Sequence, residues 1–249
     1  MMINNINNAE VNLKENERID DLQCNGFRII QNPSHFCFGT DAVLLANFAG
    51  GKKTAKAIDL GTGTGIIPIL MLAKGKAKEF TALEIQENMV EMARRSAALN
   101  GISDRLNVVH GDIKEVRNLF KHDSFDIVTS NPPYIVDDGG YHNPTESVNI
   151  ARHEILVKLE DVISAASFLL KGNGKFAMVH KPFRLGEIIR LMQRYNIEPK
   201  RMQLVQPNEK GEANMVLIEG IKSGKSGMKI LRTINVYNMD GSHIDYNEL

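Results

Sequence analysis

Ala57-Ile58-Asp59-Leu60-Gly61-Thr62-Gly63-Thr64-Gly65-Ile66-Ile67 decides the fold of this 249-residue chain. A short run of strand character meets three glycines at alternate positions, and an apolar helical stretch follows at once. At such a junction the chain bends sharply and brings its backbone close to a ligand. A cofactor site at the mouth of a strand is the inference. The spacing is G-x-G-x-G, with Ile66 standing where the dinucleotide fingerprint G-x-G-x-x-G places its third glycine. No Gly-Lys-Ser/Thr follows, so the lysine of a nucleoside triphosphate loop is missing as well. The loop suits a less anionic ligand.

Outward from this loop, strands and helices alternate. Strands are predicted over Ala55 to Leu60, Glu79 to Ile85, Leu106 to His110 and Phe125 to Thr129. Helices are predicted at about Ile66 to Lys74, over Glu87 to Leu99 with Gly101 as a stop, and, as a short piece, near Ile113 to Leu119. A further helix from about Glu154 to Leu170 leads to a strand over Lys175 to His180 and a helix over Phe183 to Tyr195. Arg201 to Val205 and Asn214 to Glu219 are close enough to pair antiparallel. Repeated βα units of this kind predict an α/β, doubly wound, mostly parallel sheet.

Before the core, Asn25-Gly26 lies between two short runs and suits the positive φ angles of a type I′ hairpin turn. Thr40 is a candidate cap for a helix over Asp41 to Phe48, ended by Gly50-Gly51. After the core, Met228 to Val236 reads as a β extension behind a flexible Gly-Ser-Lys linker. The expected organisation is a flexible tail over 1–20, a hairpin and helix over 21–51, one core domain over 52–221 and a C-terminal β extension over 222–249. The polar stretch from Asn131 to about Arg152 is long enough to serve as a lid over residues 135–152.

No apolar run approaches the roughly 20 residues that span a bilayer. The first residues lack the pattern of a secretory signal. Two cysteines, Cys24 and Cys37, are too few for a disulfide framework or a paired-thiolate metal site. The expectation is a cytoplasmic protein with no membrane or metal partner. Net charge is zero, but residues 171–232 hold 13 Lys or Arg against five Asp or Glu. That leaves a basic region available for nucleic acid beside the plain alternative of solvated faces.

Three carboxylates fall at successive strand ends: Asp59, Glu84 and Asp112. Glu84 can accept hydrogen bonds from both hydroxyls of a ribose, as acidic residues do at this place in doubly wound folds. Asp112 offers an acceptor to an adenine amino group, with Ile85 and Ile113 as apolar walls. At the fourth strand end stands Asn131-Pro132-Pro133-Tyr134. Taken alone it would be an ordinary strand exit. Behind a glycine loop and three ordered carboxylates, it reads as the second half of one active site.

The segment from about Phe36 to Ile218 resembles the class I S-adenosylmethionine-dependent methyltransferases. The resemblance implies a seven-stranded Rossmann-like sheet whose last strand is antiparallel. It also implies that Asp59 with Gly61, Thr62, Gly63 and Gly65 serves the methionine portion, Glu84 the ribose and Asp112 the adenine. The Asn131 motif resembles that of enzymes acting on exocyclic adenine nitrogen or glutamine side-chain amide, both planar, weak nucleophiles. Asn131 and the Pro132 carbonyl would accept from the amino hydrogens, the prolines would fix that carbonyl, and Tyr134 would stack on the target ring. Positioning then carries much of the rate, with no metal or covalent intermediate.

Glutamine methyltransferases of release factors usually carry a sizeable helical domain before the glycine loop, which is absent here. Glu17-Arg18-Ile19-Asp20, Gln31-Asn32, Phe36-Cys-Phe-Gly-Thr-Asp41-Ala-Val-Leu-Leu-Ala46 and Gly211-Glu-Ala-Asn214 resemble bacterial tRNA adenine-N6 methyltransferases, the family that modifies adenosine 37 of a valine tRNA. The resemblance places Phe38, Thr40 and Asp41 near the methionine end of the cofactor. It makes tRNA the expected partner, with Lys181, Arg184 and Lys210 as phosphate contacts. His180, before Lys181 at a strand exit, is read as structural, since the chemistry needs no imidazole. The alternatives are a release-factor glutamine N5-methyltransferase, a ribosomal-RNA base methyltransferase and, outside enzymes, a cofactor-binding interaction module. Oligomeric state is not legible.

Overall fold

The computed structural model describes residues 12–34, 37–133, 157–238, 242 and 244. Tyr134, Phe36, the proposed lid over 135–152 and most of the expected N-terminal tail lie outside the described residues. A two-stranded hairpin, β1 (Arg18–Asp21) and β2 (Arg28–Gln31), precedes helix α1 (Thr40–Phe48). The βα core follows as β3 (Lys56–Leu60), α2 (Ile66–Ala73), β4 (Glu79–Glu84), α3 (Glu87–Leu99), β5 (Leu106–His110), α4 (Val116–Leu119) and β6 (Phe125–Ser130). Then come α5 (Leu159–Leu169), β7 (Leu170–His180), α6 (Leu185–Arg194), β8 (Ile197–Gln206), β9 (Met215–Lys222), β10 (Lys229–Ile230) and β11 (Ile234–Asn235).

The main sheet runs β10-β8-β9-β7-β6-β3-β4-β5, with β11 also paired to β8. Only β9 runs against its neighbours, pairing antiparallel with β7 and β8. The seven longer strands therefore form the doubly wound sheet expected from the βα alternation. β10 and β11 extend it, both parallel to β8. The strand order reverses at β3, which lies between β4 and β6. Ligands of such sheets bind outside the strand C-termini at this switch point.

Both faces are covered. α1, α2 and the inner side of α3 pack one apolar cluster against Ala57, Phe80 and Ile127, while α5 and α6 pack a second against Ile58, Leu83 and Phe176. Ile58, Leu60, Leu83 and Phe176 are fully buried, each contributing roughly 1.5–3 kcal/mol through the water-excluded area. α2 is buried almost all round because α1 and α3 flank it on the sheet, which explains a helix with hardly a polar side chain.

Several local expectations are corrected. Thr40 does not cap α1: Gly39 is the cap residue and Asp41 bonds the Ala42 amide instead. Asn25 and Gly26 do form the positive-φ turn, closed by the Phe27 amide on the Cys24 carbonyl, but the paired strands begin farther out, at Asp21 and Arg28. α5 starts at Leu159, where Asp161 accepts from the Lys158 amide, rather than near Glu154. β7 starts at Leu170, not Lys175, because the Lys171–Gly174 stretch bulges out between two paired registers with β6. The β1–β2 hairpin rides on α3, whose Ser96 and Asn100 side chains accept from the Ile30 and Arg28 amides on the edge of β2 not paired with β1.

α1 is joined to the sheet by a buried charge cluster. Glu219 on β9, 3% exposed, accepts from Arg201 through both oxygens and from the Gly50 amide at 2.7 Å. Arg201 also donates to the Phe48 carbonyl at the end of α1. Glu219→Ala leaves Arg201 and the Gly50 amide without their acceptor, so we expect a loss of about 2–4 kcal/mol. For a chain of this size that is a fall of roughly 5–15 °C in melting temperature. A thermal melt within about 2 °C of wild type would show that the cluster does not hold α1.

Candidate active site

The first half of the site is built on β3 and β4. Asp59 is fully buried at the end of β3, with Oδ1 accepting from the Thr129 hydroxyl at 2.6 Å. Among the described residues its Oδ2 has no well-formed hydrogen bond, and the buried Thr62 hydroxyl lies close enough to act on the carboxyl without reaching good bonding geometry. Burial pushes the Asp59 carboxyl up to about 7; the Thr129 and Thr62 hydroxyls oppose that rise, and the neighbouring Glu84 charge adds to it. A half-satisfied buried carboxylate is costly unless a cation or donor completes it.

The glycine loop turns around this carboxylate with Gly61, Gly63 and Gly65 all at positive φ, which L side chains rarely adopt. A Cβ on Gly63 would meet nothing within 4 Å, so the backbone there faces open space. Glu84, at the end of β4, is 4% exposed and held by three backbone amides: Gly63 on Oε2 at 2.8 Å, Ile85 and Gln86 on Oε1 at 3.0 Å. Each oxygen of an ionised carboxylate has further lone pairs, so this clamp fixes Glu84 without exhausting it as an acceptor. After β5, Asp112 spends Oδ1 on the Lys114 amide as the cap of a short 3₁₀ turn. Ile85 is 37% exposed and Ile113 half-buried, so both keep apolar surface available at this rim.

The second half stands on β6. Ser130 pairs with Leu60 across the sheet, which sets Asn131 beside the glycine loop. Asn131 Nδ2 donates to Asp41 Oδ2 at 3.0 Å, tying the motif to α1 across 90 residues of sequence. With that end of the amide committed, the side chain presents its oxygen as the acceptor end. Pro132 is buried and Pro133 exposed. Gln31, fully buried at the end of β2, donates to Thr64 in the glycine loop at 2.7 Å and accepts from the Phe38 amide at 3.1 Å. Gln31 thereby ties Phe38 to the glycine loop, while the Asp41–Asn131, Thr129–Asp59 and Gly63–Glu84 bonds are separate contacts, with Thr40 in the first turn of α1.

The Gln31-Asn32 pattern does not by itself announce Gln31 as a brace between the glycine loop and Phe38. A fully polar side chain directly after Ile29-Ile30 was the available signal. The Asp41–Asn131 bond had no signal in local pattern.

The proposed phosphate contacts are scattered. Lys181 follows β7, and Lys210 is exposed on the β8–β9 connection. Arg184 is forked onto Glu187 at 2.8 and 2.9 Å and would have to exchange that partner. Between Lys181 and Arg184, Phe183 is 64% exposed, an aromatic face that the helical reading of this segment passed over. His180 is buried, with Nδ1 accepting from the Lys181 amide at 2.8 Å; burial, with Arg184 nearby, lowers it to about 4. It is neutral at physiological pH and in keeping with a structural part. Among the described residues no group of three or more His, Cys, Asp or Glu is placed to hold a metal, and no helix is long and apolar enough to cross a membrane.

Residues 51–233 match the family model described as a methyltransferase domain. The tRNA1(Val) (adenine(37)-N6)-methyltransferase of Porphyromonas gingivalis is 31% identical over 199 residues, covering 78% of this chain and 77% of the relative. A crystal structure from Agrobacterium tumefaciens, described as a predicted O-methyltransferase, aligns with a TM-score of 0.65 at 25% identity, covering 82% of this chain and 90% of that one. Geranyl diphosphate C-methyltransferase from Streptomyces coelicolor, solved with S-adenosyl-L-homocysteine, shares the fold at a TM-score of 0.54 and 13% identity, covering 72% and 78%.

Proposed function

Because this chain belongs to the methyltransferase-domain family and takes its methyl group from S-adenosylmethionine, we propose that it methylates the exocyclic N6 of an adenine in tRNA, at position 37 of a valine tRNA. The carrying observation is the Asn131 amide, fixed by Asp41 at the strand end beside the glycine loop, near a buried Asp59 oxygen that has no well-formed bond among the described residues. The name of the Porphyromonas gingivalis relative supports the choice of tRNA.

The chain's own groups fit the cofactor. Asp59 Oδ2, without a well-formed bond among the described residues, is a buried acceptor suited to an ammonium group, with the Thr62 hydroxyl beside it. The backbone at Gly63 is open to a close approach, Glu84 is fixed where ribose hydroxyls would donate, and Ile85 with Ile113 offers a slot for a flat ring. Bound there, the cofactor supplies an electrophilic methyl on a sulfonium.

An adenine amino group is a poor nucleophile because its lone pair is delocalised into the ring. In our reading Asn131 Oδ1 and the Pro132 carbonyl accept its two hydrogens, which raises electron density on the nitrogen and aims it in line. Pro132 and Pro133 hold that carbonyl by fixing φ. Tyr134 stacks on the base, and Lys181 and Lys210, with Arg184 once released from Glu187, meet phosphates. An adenine in an anticodon loop is already partly unstacked, so drawing it into the cleft costs only a few kcal/mol.

The test is transfer of labelled methyl from S-adenosylmethionine into unmodified bacterial tRNA, with release factor in parallel and nucleosides identified by mass spectrometry. N6-methyladenosine in tRNA is expected. Label confined to release factor would replace the reading with glutamine methylation.

Asp41 is a positioning residue in this scheme. Asp41→Ala removes the acceptor that orients Asn131 Nδ2 and is expected to lower kcat about 10–100-fold, since small misplacements of a reacting group carry penalties of that order. Asp41→Asn keeps an oxygen for Asn131 Nδ2 and is expected to recover most of the loss. Equal activity of the two variants would mean that Asp41 does not act through Asn131.

A further inference from the structure

At the end of the sheet opposite the strand C-termini, a groove of about 610 Å³ opens between the end of α2 and the segments that enter β3, β4 and β5. Its walls include Asn25, Lys53, Lys74, Lys78 and Arg105, and no carboxylate lines it. None of the four cations takes part in a salt bridge among the described residues. Like charges gathered without counterions destabilise a fold, so an unpaired group of four needs an external partner to offset it.

A simpler role for the lysines, answering the carbonyls at the end of α2, is already filled by other groups. The Leu70, Met71 and Leu72 carbonyls accept from the Lys74, Lys76 and Gly75 amides, and the Ala73 carbonyl accepts from Asn25 Nδ2 at 2.8 Å. Lys76, beside them, points away and bonds the Ala46, Asn47 and Ala49 carbonyls of α1. The groove cations are also held in place. A Cβ on Gly75 would come within 3.3 Å of Lys53 Cε, so the Lys53 stem lies directly across that glycine. Arg105 Nε is pinned to the Lys78 carbonyl at 3.1 Å.

We propose that this groove binds backbone phosphates of the RNA substrate at a second contact remote from methyl transfer, which rests on the tRNA reading given above. β4 has six residues, so the groove lies roughly 20 Å from the Glu84 end of the sheet at about 3.3 Å per residue. A folded tRNA can span that distance, whereas a minimal anticodon hairpin, a loop closed by only two base pairs with about 7 Å of stem at roughly 3.4 Å per pair, cannot.

The experiment compares wild type with the triple variant Lys53→Gln, Lys74→Gln, Lys78→Gln, using full-length tRNA transcript, the minimal hairpin, inorganic phosphate and S-adenosylmethionine as ligands. The three lysine side chains are solvent-accessible and form no hydrogen bond or salt bridge among the described residues, and the backbone bonds of Lys74 and Lys78 survive substitution, so the fold, checked by melting temperature, should persist. Each phosphate contact contributes about 0.7–0.9 to the slope of log affinity against log salt. The variant should therefore lose about 2 from that slope and bind full-length tRNA at least about tenfold more weakly at low salt. Hairpin and cofactor affinities should be unchanged.

Unchanged tRNA affinity and slope, in a protein whose wild type methylates tRNA, would overturn the groove and leave the tRNA reading standing. Equal loss for tRNA and hairpin would overturn it too, as would lost phosphate binding with tRNA affinity intact, which would make it a small-anion site. A wild type that neither binds nor methylates tRNA would defeat the parent reading and the groove with it.

Discussion

Asn131→Ala is expected to slow methyl transfer by about 10²–10³-fold, the range seen when one preorganised hydrogen-bonding group is removed from a reacting centre. That corresponds to about 2.7–4 kcal/mol of transition-state stabilisation. The loss should fall on kcat, because the interaction strengthens only as the amino nitrogen acquires charge. Cofactor affinity should change little, since Asp59 and Glu84 are anchored independently of Asn131, by Thr129 and by backbone amides. A swap separates this reading from mere disruption. Asn131→Asp keeps an acceptor but sets a second carboxylate about 3.0 Å from Asp41 Oδ2, where like charges repel. Adding Asp41→Asn restores a donor–acceptor pair with its direction reversed and should return much of the activity. If the double variant is no more active than Asn131→Asp, the 41–131 bond is not what aims the motif.

The sheet was legible because its rules are local. α3 could be read at Glu87–Leu99 and β5 at Leu106–His110 since apolar periodicity and the stop at Gly101 agree. The three strand-end carboxylates could be ordered from sequence because each follows a β run at a fixed place in the winding. What local pattern cannot carry is how distant segments brace one another. Gln31 to Thr64, Asp41 to Asn131 and Arg201 to Glu219 are separated by 33, 90 and 18 residues, and each is a single side-chain contact with no repeat to announce it. The bulge in β7 was hidden for a related reason. Lys171-Gly-Asn-Gly174 has turn composition, and only its pairing with β6 on both sides makes it part of a strand. The groove cations escaped as well, since Lys53, Lys74, Lys78 and Arg105 fall outside the basic stretch at 171–232 and meet only in three dimensions.

Asp59→Asn should make the protein more stable and less able to bind its cofactor. Asp59 is raised from an ordinary carboxylate value to about 7, chiefly by burial. Below about pH 4 it is protonated in both folded and unfolded chains and costs nothing. Between about 4 and 7 the unfolded chain releases the proton while the folded one keeps it, so stability falls as pH rises, and above 7 the whole cost is present. A shift of this size corresponds to about 4 kcal/mol. Asparagine removes that cost while its oxygen keeps the Thr129 bond and its amide nitrogen can donate to the unsatisfied Thr62 hydroxyl. The cofactor-free variant should therefore melt several degrees higher at pH 8 and near wild type at pH 4.5. In the proposed site the same change removes the buried negative charge that would answer the ammonium of S-adenosylmethionine. A charge-assisted hydrogen bond contributes about 1.5–3 kcal/mol, so affinity should fall about 10–150-fold. In wild type that affinity should also rise with pH through about 7 as Asp59 ionises, and in Asp59→Asn the dependence should vanish. Calorimetric titrations with cofactor at pH 6 and pH 8, paired with thermal melts, check both halves. A variant that melts lower at pH 8, or binds cofactor as tightly as wild type, would show that the unpaired oxygen of Asp59 is not held in reserve for the cofactor.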